Sequence, residues 1–178
     1  YGTAFTEADL SGRWSLVFFG FTNCPDVCPL TMAELEQFYR LLPENSEQPV
    51  PQVIMATVDP QRDNSAELGR YLNRFHPDFI GLTGNDAALA ELAEQLYVVR
   101  NTVADSMADH DGMSHEEMQH EAIPESRIDE TTEAEVPIDH SGHISVINPE
   151  GELYAVLRLP HLRERLLTAY QLILETWK

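Results

Sequence analysis

Basic residues are scarce in this chain: 11 Lys or Arg stand against 30 Asp or Glu, for a formal net charge of −19. So acidic a surface repels nucleic-acid phosphates and anionic lipid head groups, which excludes nucleic acid and a lipid surface as partners held by charge. Long apolar runs are missing as well. No stretch of about 18 apolar residues is available for a membrane-spanning helix. The first residues also lack a basic segment followed by an apolar one, the mark of a secretory signal. The chain opens abruptly at YGTAFTEADLSGRW, close to its first strand signal, and reads as a soluble fragment or mature domain with an upstream part expected before it.

Cysteine is nearly absent. Cys24 and Cys28 are the only two, with three residues between them, in FFGFTNCPDVCPLTMAEL. A thioredoxin-type redox motif leaves two residues between its cysteines, and a structural zinc site needs two further ligands nearby. Neither pattern fits.

What is present describes one domain. The 178 residues, 43% apolar and 8% aromatic, are enough for a sizeable core. SLVFFG (Ser15–Gly20) is a continuous apolar run, as in a strand buried on both faces. LTMAELEQFYRLL predicts a helix with Leu30, Leu35, Phe38, Leu41 and Leu42 largely on one side, stopped by Pro43. QVIMATVD predicts a second buried strand that ends in the turn DPQRDN. Asn64, with Glu67 three residues later, resembles a capping box opening the helix SAELGRYLNRF. FIGLT follows as a short strand and DAALAELAEQLYVV as an Ala/Leu-rich helix. HISVINPEGELYAVLRL reads as a hairpin turning at Asn148, Pro149, Glu150 and Gly151, and HLRERLLTAYQLILETWK as a closing amphipathic helix. The order β-α-β-α-β-α-β, then a hairpin partner and a last helix, predicts an α/β fold with a mixed central sheet flanked by helices. Cysteines at the first β-α junction make this the thioredoxin-like arrangement. In that arrangement the loop before the hairpin, VPIDHSGH, packs beside the cysteine turn, so His140 or His143 is expected near Cys24 and Cys28.

With Cys28 in the first helical turn, free backbone N–H groups and the helix dipole favour thiolates there. Four-residue spacing puts both sulfurs on one side of a turn, and Pro25 and Pro29 restrict the loop. Two such sulfurs can form a disulfide, exchange with a partner's disulfide, or grip a soft metal such as Cu(I); two inert core cysteines are the structural alternative. A metal site needs a third ligand. His140 offers it, with His143, already entering the strand, the weaker choice. Two thiolates and an imidazole suit copper in either oxidation state.

Three stretches together, FGFTNCPDVCPLTMAEL, TVDPQRD at 57–63 and IDHSGHISVINPEG at 138–151, resemble the Sco/SenC family of copper chaperones in their order and approximate spacing. TNCPDVCP is highly specific to it. The resemblance implies a thioredoxin-like domain tethered by an upstream membrane anchor. It would face the periplasm from a bacterial inner membrane or lie in the mitochondrial intermembrane space. The implied task is delivery of copper, Cu(I) or Cu(II), to the CuA site of cytochrome c oxidase subunit II or to another extracytoplasmic copper protein. Other copper chaperones and thioredoxin-like reductants are further expected partners. Cys24, Cys28 and His140 take the copper-ligand positions. Asp139 precedes the histidine as in the family, either orienting it or solvating the loop. Asp59 falls on the family's aspartate in the DP turn, where forming the turn is an equal alternative to a functional role. By the family pattern, an anchor and most of the hairpin before the first buried strand are expected upstream of this sequence. The chain also carries an extra acidic segment.

That segment, 102–137, is expected to be an insertion in a single domain spanning 1–178. Between positions 102 and 139 there are 12 Asp or Glu and the single Arg127, or −11 of the −19. Within it MADHDGMSHEEMQH holds Met107, Met113 and Met118 with His110, His115 and His120, three of only five Met and three of only seven His in the chain. Thioethers suit Cu(I), imidazoles either copper state, and carboxylates attract any cation, so these six residues are a candidate secondary copper site. A disordered acidic loop that binds no metal is the alternative. Two classes of function are thus carried forward: a copper chaperone using Cys24, Cys28 and His140, and a thiol–disulfide oxidoreductase in which Cys24 and Cys28 are the redox pair.

Overall fold

A computed structural model describes residues 2–42, 48–99 and 142–177. SLVFFG forms strand β1 (Ser15–Gly20), buried at every position. It pairs in parallel with β2 (Gln52–Thr57), Ser15 opposite Gln52 and Gly20 opposite Thr57. β3 (Ile80–Leu82) extends the parallel side, with Ile80 opposite Ile54. On the other flank β4 (Ile144–Ile147) runs antiparallel to β1, Ile144 opposite Phe18, and β5 (Leu153–Leu157) folds back on it. The sheet order is β3-β2-β1-β4-β5. β1 lies at its centre, which is why its apolar run does not alternate with polar residues. The hairpin turn is the expected one: Gly151 takes φ +85°, and its N–H donates to the Asn148 carbonyl at 3.0 Å.

Alternate β1 residues serve opposite cores. Leu16 and Phe18, with Trp14 before the strand, join helices α2 (Val27–Leu41) and α3 (Ser65–Leu72) and the last helix, α5 (Arg163–Thr176), through Met32, Leu35, Phe38, Leu68, Tyr71, Leu166 and Tyr170. Val17 and Phe19 join Ile54, Ala93 and Leu96, the last two in and just after helix α4 (Asp86–Gln95). Burying a Phe such as Phe18, which is 0% exposed, contributes about 2–3 kcal/mol. A short helix α1 (Glu7–Leu10), not expected from the sequence, precedes β1. No helix among the described residues is long and apolar enough to cross a membrane.

Two expectations about helices need adjustment. In α2 the buried positions are Cys28, Thr31, Met32, Leu35, Glu36 and Phe38, whereas Leu30 and Leu41 are exposed. The helix starts at Val27, so its inward stripe is phased from Cys28. At α3, Asn64 accepts from the N–H groups of Ala66 and Glu67, both at 3.0 Å, as a helix cap should. Glu67 pairs with Arg70.

Candidate metal centre

β1 delivers the chain to a six-residue turn, and α2 begins straight after it. The capping position of α2 falls on Asp26, whose side chain makes no capping hydrogen bond. A sulfur does that work: the Cys28 N–H, second in the helix, points at Cys24 Sγ, 3.4 Å away. Pro29 follows at the third position, where a backbone N–H would have no partner within the helix. The sequence thus places one sulfur at the positive end of a helix dipole and the other inside its first turn. Both are free thiols; Cys24 is half-buried and Cys28 fully buried. Gly20 makes room for Cys28. A β-carbon at position 20 would fall 2.9 Å from Cys28 Sγ and 2.8 Å from Phe18 Cε1, so no larger residue fits.

Burial works against charge on Cys28. Desolvation first, then the hydrogen bond with Cys24, pushes the Cys28 thiol well above its ordinary range, and the Phe21 backbone hydrogen bond only partly offsets this. The helix start alone was expected to favour thiolates. At Cys28 burial wins, and the thiol holds its proton more tightly than an exposed cysteine would.

The cysteine turn is held from outside by Asp63. This side chain, 1% exposed, accepts from the Thr22 N–H at 3.0 Å, from the Thr22 hydroxyl, and from the Thr57 hydroxyl at 2.8 Å. It therefore staples the β1–α2 turn to the end of β2. Asp59 has the turn-forming role: its N–H donates to Thr57 Oγ1 at 2.9 Å, its carbonyl accepts from the Asp63 N–H at 2.9 Å, and its carboxylate meets Arg62 at 3.6 Å. Asp63, the last residue of TVDPQRD, was not among the residues expected at the site. An acid just past a buried strand, in a turn beside the cysteines, was the available signal.

The structure brings Cys24 and Cys28 together. Of the other expected residues, Asp139 and His140, the six Met and His residues Met107, His110, Met113, His115, Met118 and His120, and the 102–137 segment lie outside the described residues. Among the described residues, no group of three or more His, Cys, Asp or Glu could hold a metal ion. Gly142, two positions after His140, is described. A β-carbon there would lie 3.8 Å from Val27 Cγ1 and 2.8 Å from Leu159 Cδ1. His161 Nε2 is 2.7 Å from its carbonyl oxygen. The approach to the hairpin thus passes against the first turn of the cysteine helix.

A mixed five-stranded sheet with a free dithiol at the start of the first long helix defines a thioredoxin-like protein built around two sulfurs. A SCO1/SenC family model matches residues 1–123, and the chain belongs to that family. It is 35% identical over 150 residues to the human mitochondrial SCO2 homologue, covering 84% of this chain and 47% of that one. Against the mouse mitochondrial SCO2 homologue it is 36% identical over 121 residues, 60% of this chain and 48% of the other. The chain spans about half the length of these curated relatives. Among solved structures it is similar to copper-bound ScoI of Arabidopsis thaliana, 25% identical with a TM-score of 0.73, covering 96% of this chain and 89% of that one. Copper-bound yeast Sco1 is also similar, 25% identical with a TM-score of 0.72, at 98% and 82%.

Proposed function

We propose that this protein is a copper chaperone of cytochrome c oxidase assembly, holding one copper ion on Cys24, Cys28 and His140 and releasing it to the CuA site of subunit II. The observation that carries the reading is the pair of sulfurs at the start of α2, one capping the helix and one buried in its first turn. Soft thiolates in this pattern suit copper, and a cation bound there would offset the cost of ionising the buried Cys28. The seat of Gly142 against Val27 supports His140 as third ligand, because two residues of extended chain span about 7 Å. The imidazole makes the site competent for Cu(II), whereas two thiolates suffice for Cu(I). The names of the solved relatives, copper-bound ScoI and Sco1, support the metal. The domain works on the periplasmic side of a bacterial inner membrane or in the mitochondrial intermembrane space, held there by an upstream anchor. The Met and His residues of 107–120 collect further copper for the cysteine site.

A second reading rests on the unequal exposure of the two free thiols. The accessible Cys24 thiolate attacks a partner's disulfide, forming a mixed disulfide and expelling one partner thiolate. Cys28, on losing its proton, then displaces the second, leaving a Cys24–Cys28 disulfide and a reduced partner, two electrons having passed to it.

The test is transfer. Cu(I)-loaded protein is mixed without oxygen with a purified apo CuA domain whose cysteines are already reduced. Movement of copper to that domain, abolished by Cys24→Ser with Cys28→Ser, supports the chaperone. Failure of transfer, with efficient reduction of an oxidised CuA domain, overturns it in favour of the oxidoreductase. Deleting residues 105–121 tests the secondary site: bound copper should fall to one ion per chain.

A further inference from the structure

We propose that Met55 is a positioning residue for the cysteine pair: its terminal methyl, with the ring edge of Phe18, forms a wall that holds the Cys28 sulfur on the side of Cys24. The wall follows from strand register. In the parallel pairing of β1 with β2, Phe18 stands opposite Met55. Residues two apart on a strand share a face, so positions 18 and 20 both lie on the face that carries α2. Phe18, Met55 and Cys28 belong to one core cluster there. Gly20 shows how tightly they meet. The point at which a β-carbon on Gly20 would stand lies 2.8 Å from Phe18 Cε1, 2.9 Å from Cys28 Sγ and 3.3 Å from Met55 Cε. The ends of three fully buried side chains thus converge over one bare glycine.

Cys24 takes the other side. The Cys28 N–H points at Cys24 Sγ, 3.4 Å away, and the Cys28 thiol hydrogen-bonds with Cys24. A cysteine side chain has three staggered positions to choose from, and the wall fills the space toward the sheet. The residue type fits the task. Val53 and Ile54, just before it on β2, are β-branched, as strands favour. At position 55 an unbranched, adaptable side chain reaches further, to the sulfur above Gly20. Two sulfurs held together in advance lose less side-chain freedom when they close on a partner. That gain is the same for a metal ion gripped between them and for a disulfide. The inference rests on Cys24 and Cys28 being the working pair of the copper reading, and a metal-free measurement separates it from the cargo.

Three variants make the test. Met55→Val keeps a strand-forming apolar residue but withdraws the methyl from Cys28, and Met55→Leu keeps the volume. Val53→Ala opens a cavity in the same buried cluster, on the same strand, and serves as the control. The metal-free protein is equilibrated with glutathione: two thiols and one oxidised glutathione give the Cys24–Cys28 disulfide and two reduced glutathiones. Met55→Val should lower this equilibrium constant about fivefold, and weaken Cu(I) binding against a competing chelator by a similar factor. Met55→Leu should recover most of both. Val53→Ala should melt earlier yet keep both quantities within about twofold of wild type. Equal shifts in Met55→Val and Val53→Ala would make Met55 ordinary core packing and overturn the proposal. An unchanged glutathione equilibrium in Met55→Val would overturn it too. If wild type binds no Cu(I) through its cysteines, the copper reading fails by itself, and the glutathione constant still decides for or against Met55.

Discussion

His161 and Gly142 are joined by a short hydrogen bond, imidazole Nε2 to carbonyl oxygen at 2.7 Å, in a buried setting. Nε2 must carry the proton to donate, which leaves Nδ1 as a lone pair, itself buried and without a partner among the described residues. With Leu159 and Val27 packed around Gly142, this bond fixes the chain where it enters the hairpin beside the cysteine helix.

The bond has a pH signature. Burial first, and then the neighbouring His143, lowers the His161 pKa below its ordinary value of 6.5, with the Gly142 carbonyl acting against them. In the unfolded chain His161 binds its proton more readily, so its contribution to stability is complete above pH 6.5 and declines as pH falls below it. Urea melts of wild type and His161→Gln across pH 5–8 should therefore differ in slope on the acid side, the variant being flatter. Parallel curves would contradict this.

Asp63 should be as consequential as any apolar core residue. Asp63→Ala strands the Thr22 N–H and two threonine hydroxyls, at a cost of about 3 kcal/mol in urea unfolding. It also frees the turn that carries Cys24, so copper retention should fall even at temperatures where the fold persists. A loss below about 0.5 kcal/mol, the level of an ordinary surface change, would refute the staple.

Gly20 is a steric requirement. Gly20→Ala drives a methyl into Cys28 Sγ and Phe18, and should cost about 1–3 kcal/mol while displacing the sulfur and weakening metal binding. Gly84, which has nothing within 4 Å of an added β-carbon, is the control; Gly84→Ala should leave both properties near wild type. Thermal melts and a chelator competition on the two variants make the comparison.

What could be read from sequence followed from local pattern. The uninterrupted SLVFFG run marked the central strand, Asn64 marked the start of α3, and the cysteine spacing with its prolines marked the turn. Leu30 was placed on the apolar side because LTMAEL is apolar enough to hide where α2 begins; the buried stripe starts two residues earlier, at Cys28. Asp63 and His161 escaped for a different reason. They reach the cysteine turn and the approach to the hairpin from the β2–α3 turn and from the chain after β5, brought there by strand order and carrying no local pattern. Parallel pairing of β1 with β2 is what sets the end of one strand beside the end of the other, and so Thr22 beside Asp63.

The central claim, copper held by two sulfurs and one imidazole, is tested most directly by one absorption measurement. Fully reduced wild type and His140→Ala each receive one equivalent of Cu(II). The account predicts an intense thiolate-to-copper charge-transfer band in wild type that is lost in the variant. An equal band in both would remove His140 from the site. No band in wild type, with the thiols oxidised to a disulfide, would contradict the chaperone and put the oxidoreductase in its place.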